Sequence, residues 1–206
     1  MSLRFVVVGT GRSGTKYASE LFTRLGIRCG HEALFSAAAG ADLVGDASFG
    51  IVPSLSGFRG LVFHQTRHPL AVLSSIASTG FFVSPGPYEP YLDLITRTVP
   101  GIGERTDPIR KAMHYVVRWN LMAEPFARLR WRVEDLDAAV LAEATRMIGM
   151  PRTEEDCTAA LREVPPDTNS LERGGVARLN LEWSDLEECP EKLELASLAR
   201  RYGYDP

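Results

Sequence analysis

Residues 9–16 (GTGRSGTK) have the composition of an anion-binding loop. The three glycines let the backbone curl so that successive N–H groups point inward, and a helix that begins at Thr15 adds the positive end of its dipole. A turn that binds no ligand is the weaker interpretation, because four polar donors fall within it. We expect the loop to hold a phosphate or a sulfate through Gly11, Arg12, Ser13, Gly14, Thr15 and Lys16.

This loop departs from the ATP-binding P-loop, whose pattern is GxxxxGK[ST]. Gly9 and Gly14 fit that pattern, but the next two residues, Thr15 and Lys16, stand in the reverse order. The lysine that would reach the β- and γ-phosphates therefore lies one residue late, and Arg12 supplies a cation inside the loop instead.

A second candidate anion site lies in residues 67–75 (RHPLAVLSS), which follow another predicted strand. We expect Arg67 at the carboxyl end of that strand, where ligands bind in open α/β sheets. Ser75 comes eight residues later, about two helical turns, so its hydroxyl can face the same cleft. An arginine fork and a hydroxyl suit a terminal phosphate. Two anion sites on neighbouring strands predict a ligand with two anionic ends.

The elements that must position these residues alternate between strand and helix. Residues 5–8 (FVVV) predict a buried strand, and a helix from Thr15 to Leu25 follows the loop. Similar patterns predict strands at residues 60–65 and 130–133 and helices after Pro69, after Asp107, before Gly149, over residues 154–163 and through Leu195. This order predicts an α/β fold: a single P-loop-type domain over residues 1–206, with a mostly parallel central sheet flanked by helices.

Two segments received simpler interpretations. Residues 80–106 begin with glycines, prolines and aromatic residues, which indicate a lid or acceptor loop. Four glutamates near the carboxyl terminus, Glu187, Glu188, Glu191 and Glu194, indicate a solvated helix face.

Composition excludes several classes of protein. The 206 residues are 45% hydrophobic and 24% charged, which is typical of a globular domain. Lys and Arg number 23 against 26 Asp and Glu, so we expect no nucleic-acid partner. No apolar run of 18 residues and no signal-peptide pattern occur, which predicts a cytoplasmic protein without a membrane partner. Three widely spaced cysteines indicate neither a disulfide framework nor a zinc site.

The two anion motifs together resemble those of sulfotransferases that use 3′-phosphoadenosine 5′-phosphosulfate (PAPS). Weaker similarities follow in the family's order at residues 131–136 (WRVEDL), at Asn169-Ser170, at residues 183–186 (WSDL) and at residues 202–204. Many members of the family have a second threonine where this chain has Lys16.

This resemblance implies a reaction as well as a cofactor site. The first motif would hold the 5′-phosphosulfate, and Arg67 and Ser75 would hold the 3′-phosphate. Arg173 and Gly174 would lie in a loop that closes over the 3′-phosphate. The enzyme would transfer the sulfuryl group from PAPS to a hydroxyl or amine and release 3′-phosphoadenosine 5′-phosphate (PAP), without a metal ion.

Transfer to a hydroxyl or amine needs a base near the first loop. Residues 29–32 (CGHE) resemble the C-G-x-E segment of tyrosylprotein sulfotransferases, which points to Glu32. His31 is the competing candidate, since other branches of the family use a histidine, and Asp46 is a third. We favour Glu32 over His31, and both over Asp46. Arg12 is expected to assist catalysis as the cation in the loop.

The acceptor is expected to be a small molecule or a glycan. Four aromatic residues in or next to the predicted lid indicate an apolar or aromatic wall: Phe81, Phe82, Tyr88 and Tyr91. Two alternative functions remain open. One is an ATP-dependent P-loop phosphotransferase, against which the late position of Lys16 argues. The other is a nucleotide-binding paralogue without catalysis.

Overall fold

The computed structural model describes residues 3–35, 42–84, 86–165 and 179–206. Five parallel strands form one sheet in the order β2-β3-β1-β4-β5. The strands are β1 (Phe5–Val8), β2 (Cys29–His31), β3 (Gly45–Ala47), β4 (Leu61–Thr66) and β5 (Leu129–Arg132). The helices are α1 (Thr15–Arg24), α2 (Pro69–Ser78), α3 (Glu89–Thr98), α4 (Pro108–Ala123), α5 (Ala138–Met147), α6 (Glu154–Glu163) and α7 (Pro190–Arg201).

Helices cover both faces of the sheet, and β1 contributes side chains to both cores. Phe5 and Val7 pack with α1, α5 and α6, while Val6 and Val8 pack with α2, α4 and α7. All four side chains are fully buried, as expected for a central parallel strand. The predicted α/β fold with a parallel sheet flanked by helices is confirmed. None of the described helices is both long enough and apolar enough to cross a membrane.

The helix ends follow the local signals in the sequence. Gly26 and Gly149 adopt positive φ angles of 76° and 73° just after α1 and α5, a conformation that favours glycine. Asp107 accepts a hydrogen bond from the Arg110 N–H at 2.7 Å and so caps α4.

Three elements were not predicted. Strands β2 and β3 have only three residues each, too few for an alternating pattern. Helix α3 lies inside the segment predicted as a lid. Pro90 stands in its first turn, where proline is tolerated, and its Ile95 is fully buried. Residues 80–106 are therefore partly helical.

The interpretation of Glu191 as part of a solvated helix face was wrong. Its side chain is 6% exposed and accepts hydrogen bonds from Arg105 Nε at 2.8 Å and Arg110 Nη2 at 3.0 Å. Burial opposes the charge of this carboxylate, but its hydrogen bonds outweigh that effect and lower its pKa to about 2. Glu191 thus ties the start of α7 to the first turn of α4 and to the loop before it.

Glu191→Ala should lower the free energy of unfolding by about 1–3 kcal/mol, because two arginines lose charge-assisted hydrogen bonds. Urea denaturation measures this loss. Glu187→Ala removes an exposed carboxylate nearby and should have little effect. Equal stability of the two variants would contradict the structural role of Glu191.

Candidate functional site

The glycine loop connects β1 to α1 at the carboxyl edge of the sheet and takes a conformation that few residues adopt. Arg12 and Gly14 have positive φ angles of 74° and 91°. A Cβ atom on Gly9 would lie 2.4 Å from the Gln65 carbonyl oxygen and 2.5 Å from Ser13 Oγ, so only glycine fits there. The loop therefore has the tight curvature that an anion-binding nest requires.

Side chains of the neighbouring strands β4 and β5 support this loop through hydrogen bonds. Gln65 Nε2, on β4, donates to the Ser13 carbonyl at 2.9 Å, and Trp131 Nε1, on β5, donates to Gln65 Oε1 at 2.9 Å. The Ser13 hydroxyl is buried and has no hydrogen-bond partner among the described residues. The loop thus keeps a buried polar group that a bound anion could satisfy, which fits the predicted use of the loop.

The two predicted anion sites meet at Arg12. Its Nε donates to Ser75 Oγ, on α2, at 2.8 Å, and Arg67 Nη1 donates to the Arg12 carbonyl oxygen at 3.0 Å. Burial lowers the pKa of Arg12, and Tyr88 opposes that shift. The Arg12 side chain therefore lies against the second site, whereas the sequence placed it only in the first.

Both leading candidates for the base lie at the end of β2. His31 Nε2 is 3.2 Å from Thr15 Oγ1, in the first turn of α1. Glu32 Oε2 accepts from Ser48 Oγ at 2.6 Å, and its Oε1 accepts from the Phe49 N–H at 3.0 Å. The His31 ring nitrogen and the Glu32 carboxylate are 4.0 Å apart. Glu32 has a positive φ of 52°, which is rare for this residue type and is common at functional sites.

Burial shifts the pKa values of Glu32 and His31 in opposite directions. It raises the pKa of Glu32 to about 7, although hydrogen bonds from Ser48 and Phe49 oppose the shift. Burial and the charge of Lys16 lower the pKa of His31 to about 4. At neutral pH, His31 is uncharged, and Glu32 has the higher pKa of the two, so Glu32 is the stronger base.

Asp46 and Lys16 make local contacts within their own parts of the fold, and burial raises the pKa of Asp46. Both carboxylate oxygens of Asp46 accept from the Ala33 N–H, at 3.2 and 3.3 Å, and the residue is fully buried within β3. Asp46 thus anchors the turn after β2. The Lys16 ammonium lies 4.0 Å from Glu20 Oε1 one helical turn along α1 and is partly exposed.

Aromatic side chains from three separate segments line the same region. Tyr91 makes edge-on contacts with Phe35 and Phe49, with ring centroids 4.8 and 5.3 Å apart. The ring centroids of Tyr88 and Tyr91 are 6.4 Å apart. Burial raises the pKa of Tyr91, and the charge of Glu32 raises it further. The predicted aromatic wall therefore extends through Tyr88 and Tyr91 towards Glu32.

Sequence reasoning missed several residues of this site, among them Ser48 and Tyr115. Ser48 follows β3 by one residue, and a hydroxyl at the carboxyl end of a strand was the available signal. Tyr115 lies on α4, and its Oη accepts from the Gly11 N–H at 2.7 Å. It stands among other polar side chains of that helix, such as His114 and Asn120, so no signal in the sequence distinguishes it.

Some expectations fall outside these contacts. Arg173, Gly174, Asn169 and Ser170 lie outside the described residues. Within the described ranges, no cluster of three or more His, Cys, Asp and Glu side chains could hold a metal ion.

No family model, no curated protein and no solved structure matches this chain.

Proposed function

We propose that this chain is a PAPS-dependent sulfotransferase that acts on a hydroxyl or amine of a small molecule or glycan. One observation carries the proposal: the glycine loop, the Arg12–Ser75–Arg67 contacts and the buried Glu32 carboxylate lie together at one edge of the sheet. An anion-binding loop beside a second cationic site suits a donor with two anionic ends. A carboxylate with a pKa of about 7 is well matched to proton transfer near neutral pH.

Each part has a role in the proposed reaction. Glu32 removes the proton from the acceptor as the acceptor oxygen or nitrogen forms its bond to sulfur. The bond between sulfur and the 5′-phosphate oxygen of PAP breaks on the opposite side. Negative charge then grows on that phosphate oxygen, where Lys16 and the N–H groups of the loop can stabilise it.

The aromatic side chains indicate how the acceptor is held. Phe35, Tyr88 and Tyr91 are partly exposed and lie next to one another, so they offer apolar ring surface beside the site. Flat rings pack against such surfaces. This supports an acceptor with an apolar face and a single reactive hydroxyl or amine directed at Glu32.

Ligand binding and turnover test the proposal against its alternatives. PAP should raise the thermal midpoint by binding the folded state, and ATP with Mg²⁺ should have a smaller effect. Labelled PAPS with a panel of acceptors should give a sulfated product at the same rate in excess EDTA as with Mg²⁺, within a small factor. The transferred sulfuryl group carries one negative charge, whereas a γ-phosphate carries enough for Mg²⁺ to be needed.

The opposite results would identify the alternatives. Activity that EDTA abolishes and Mg²⁺ restores, or preferential binding of ATP, would favour a phosphotransferase. PAP binding without turnover of any acceptor would favour a paralogue that does not catalyse.

A further inference from the structure

Tyr115 is a buried hydroxyl next to the glycine loop, and the proposed mechanism leaves it unused. The residue is 1% exposed on α4, where its ring packs against Trp119 with centroids 5.3 Å apart. Its Oη accepts the Gly11 N–H at 2.7 Å, which is its one hydrogen bond among the described residues. A tyrosine hydroxyl can also donate one hydrogen bond. The Tyr115 O–H therefore retains an unused donor at the edge of the nest.

The spacing of the loop and the charge of Glu32 describe the surroundings of this donor. A Cβ atom on Gly11 would lie 3.2 Å from Tyr115 Oη, so the loop approaches the hydroxyl closely. Burial raises the pKa of Tyr115, the Gly11 N–H opposes that shift, and the charge of Glu32 adds to it. The hydroxyl thus stays protonated and lies within electrostatic range of both Gly11 and Glu32.

This placement distinguishes the two ends of the proposed donor. Arg12 extends from the loop to Ser75 and Arg67, which are assigned to the 3′-phosphate. Tyr115 packs instead on the side of Glu32: its neighbour Trp119 donates to the Phe49 carbonyl at 3.1 Å, and the Phe49 N–H donates to Glu32 at 3.0 Å. A base that activates the acceptor must lie on the sulfur side of the donor. The sulfuryl group is therefore the end of PAPS nearer to Tyr115 in the proposed complex.

We propose that Tyr115 is a further catalytic residue, whose hydroxyl donates a hydrogen bond to a sulfuryl oxygen of PAPS. This inference rests on the proposed function. The Gly11 N–H donates to Tyr115 Oη while the O–H donates to the sulfuryl group, and consecutive hydrogen bonds of this kind polarise one another. The Tyr115 O–H thereby adds a side-chain donor to the backbone N–H donors of the loop.

The test compares PAPS with PAP, which differ only by the sulfuryl group, in calorimetric titrations without an acceptor. Tyr115→Phe should weaken PAPS binding by about tenfold or more and leave PAP affinity within about twofold of wild type. The matched control is Tyr202→Phe, because Tyr202 is also buried but its ring contacts His64 and Arg130 rather than the glycine loop. The control should leave both affinities unchanged.

Other results would overturn the inference. Equal weakening of PAPS and PAP would mean that Tyr115 acts only by shaping the loop, and no change in either would mean that it does not contact the donor. Failure of the wild-type protein to bind either ligand would instead reject the proposed function itself.

A second measurement on the wild-type protein covers the case in which Tyr115→Phe does not fold. The chain has six tyrosines, so carbon-13 labelling at Cζ gives six signals. Single phenylalanine substitutions of the other five assign the remaining signal to Tyr115. PAPS should shift that signal and PAP should not, whereas equal shifts with both ligands would overturn the inference.

Discussion

Glu32→Gln is expected to reduce turnover of PAPS by roughly 10²–10⁴-fold and to leave PAP affinity near that of wild type. Glutamine keeps the size of the side chain and can still accept the Phe49 N–H, so the turn after β3 should be preserved. It cannot accept a proton from the acceptor. Steady-state kinetics and calorimetry with PAP separate these two effects.

The Glu32→Gln substitution should also change the pH dependence of kcat/KM. A base must be ionised to act, and the pKa of Glu32 is about 7. In wild type, kcat/KM should therefore rise with pH up to about 7 and level off above it. In Glu32→Gln this rise should disappear.

His31→Asn is the comparison that decides between the two candidates. The imidazole contacts Thr15 and has a pKa of about 4, so it is a weaker base than Glu32. We expect a smaller loss of turnover than in Glu32→Gln. Loss of turnover in the His31 variant alone would make His31 the base and reverse our assignment.

Arg67→Ala should weaken PAP binding by about tenfold or more, because a charge-assisted contact with the 3′-phosphate contributes roughly 1.5–3 kcal/mol. Adenosine 5′-phosphosulfate lacks the 3′-phosphate, so its affinity should change less. Arg12→Ala should weaken both ligands, since Arg12 lies in the loop and also reaches Ser75. Calorimetric titrations of each variant with both ligands measure these differences.

Arg59→Ala provides the control for net charge. Arg59 is exposed and precedes β4, so it lies at the edge of the sheet opposite the site. Its removal should leave both affinities unchanged. Equal weakening of the two ligands by Arg67→Ala would contradict the assignment of Arg67 to the 3′-phosphate.

The sequence alone determined the elements that are specified by residues adjacent to one another in the chain. A run of four buried residues, a glycine loop and a capped helix specify β1, the loop and α1 in order, and Pro69 specifies the start of α2. Two such units in one chain also predict that their loops meet at one edge of a parallel sheet. The assignment as a sulfotransferase remains a prediction from those motifs.

The three-residue strands needed the tertiary structure. Gly45 pairs with both Phe5 and Cys29, and a Cβ atom on it would lie 2.2 Å from the Phe5 ring. Strand β3 exists because its backbone fits closely against β1. That contact joins residues 40 positions apart, so no local pattern in the sequence contains it.

Only the tertiary structure decided which side chains meet at the site. Arg12 reaches Ser75 across 63 residues, and Gly11 meets Tyr115 across 104. The Glu191 carboxylate can be buried because Arg105, 86 residues away in the sequence, donates a hydrogen bond to it and compensates its charge. Helical and strand periodicity describe how one segment is buried, whereas these pairs depend on how separate segments pack against each other. The loop therefore follows from its own sequence, and the groups around it follow from the packing of α2, α4 and β2.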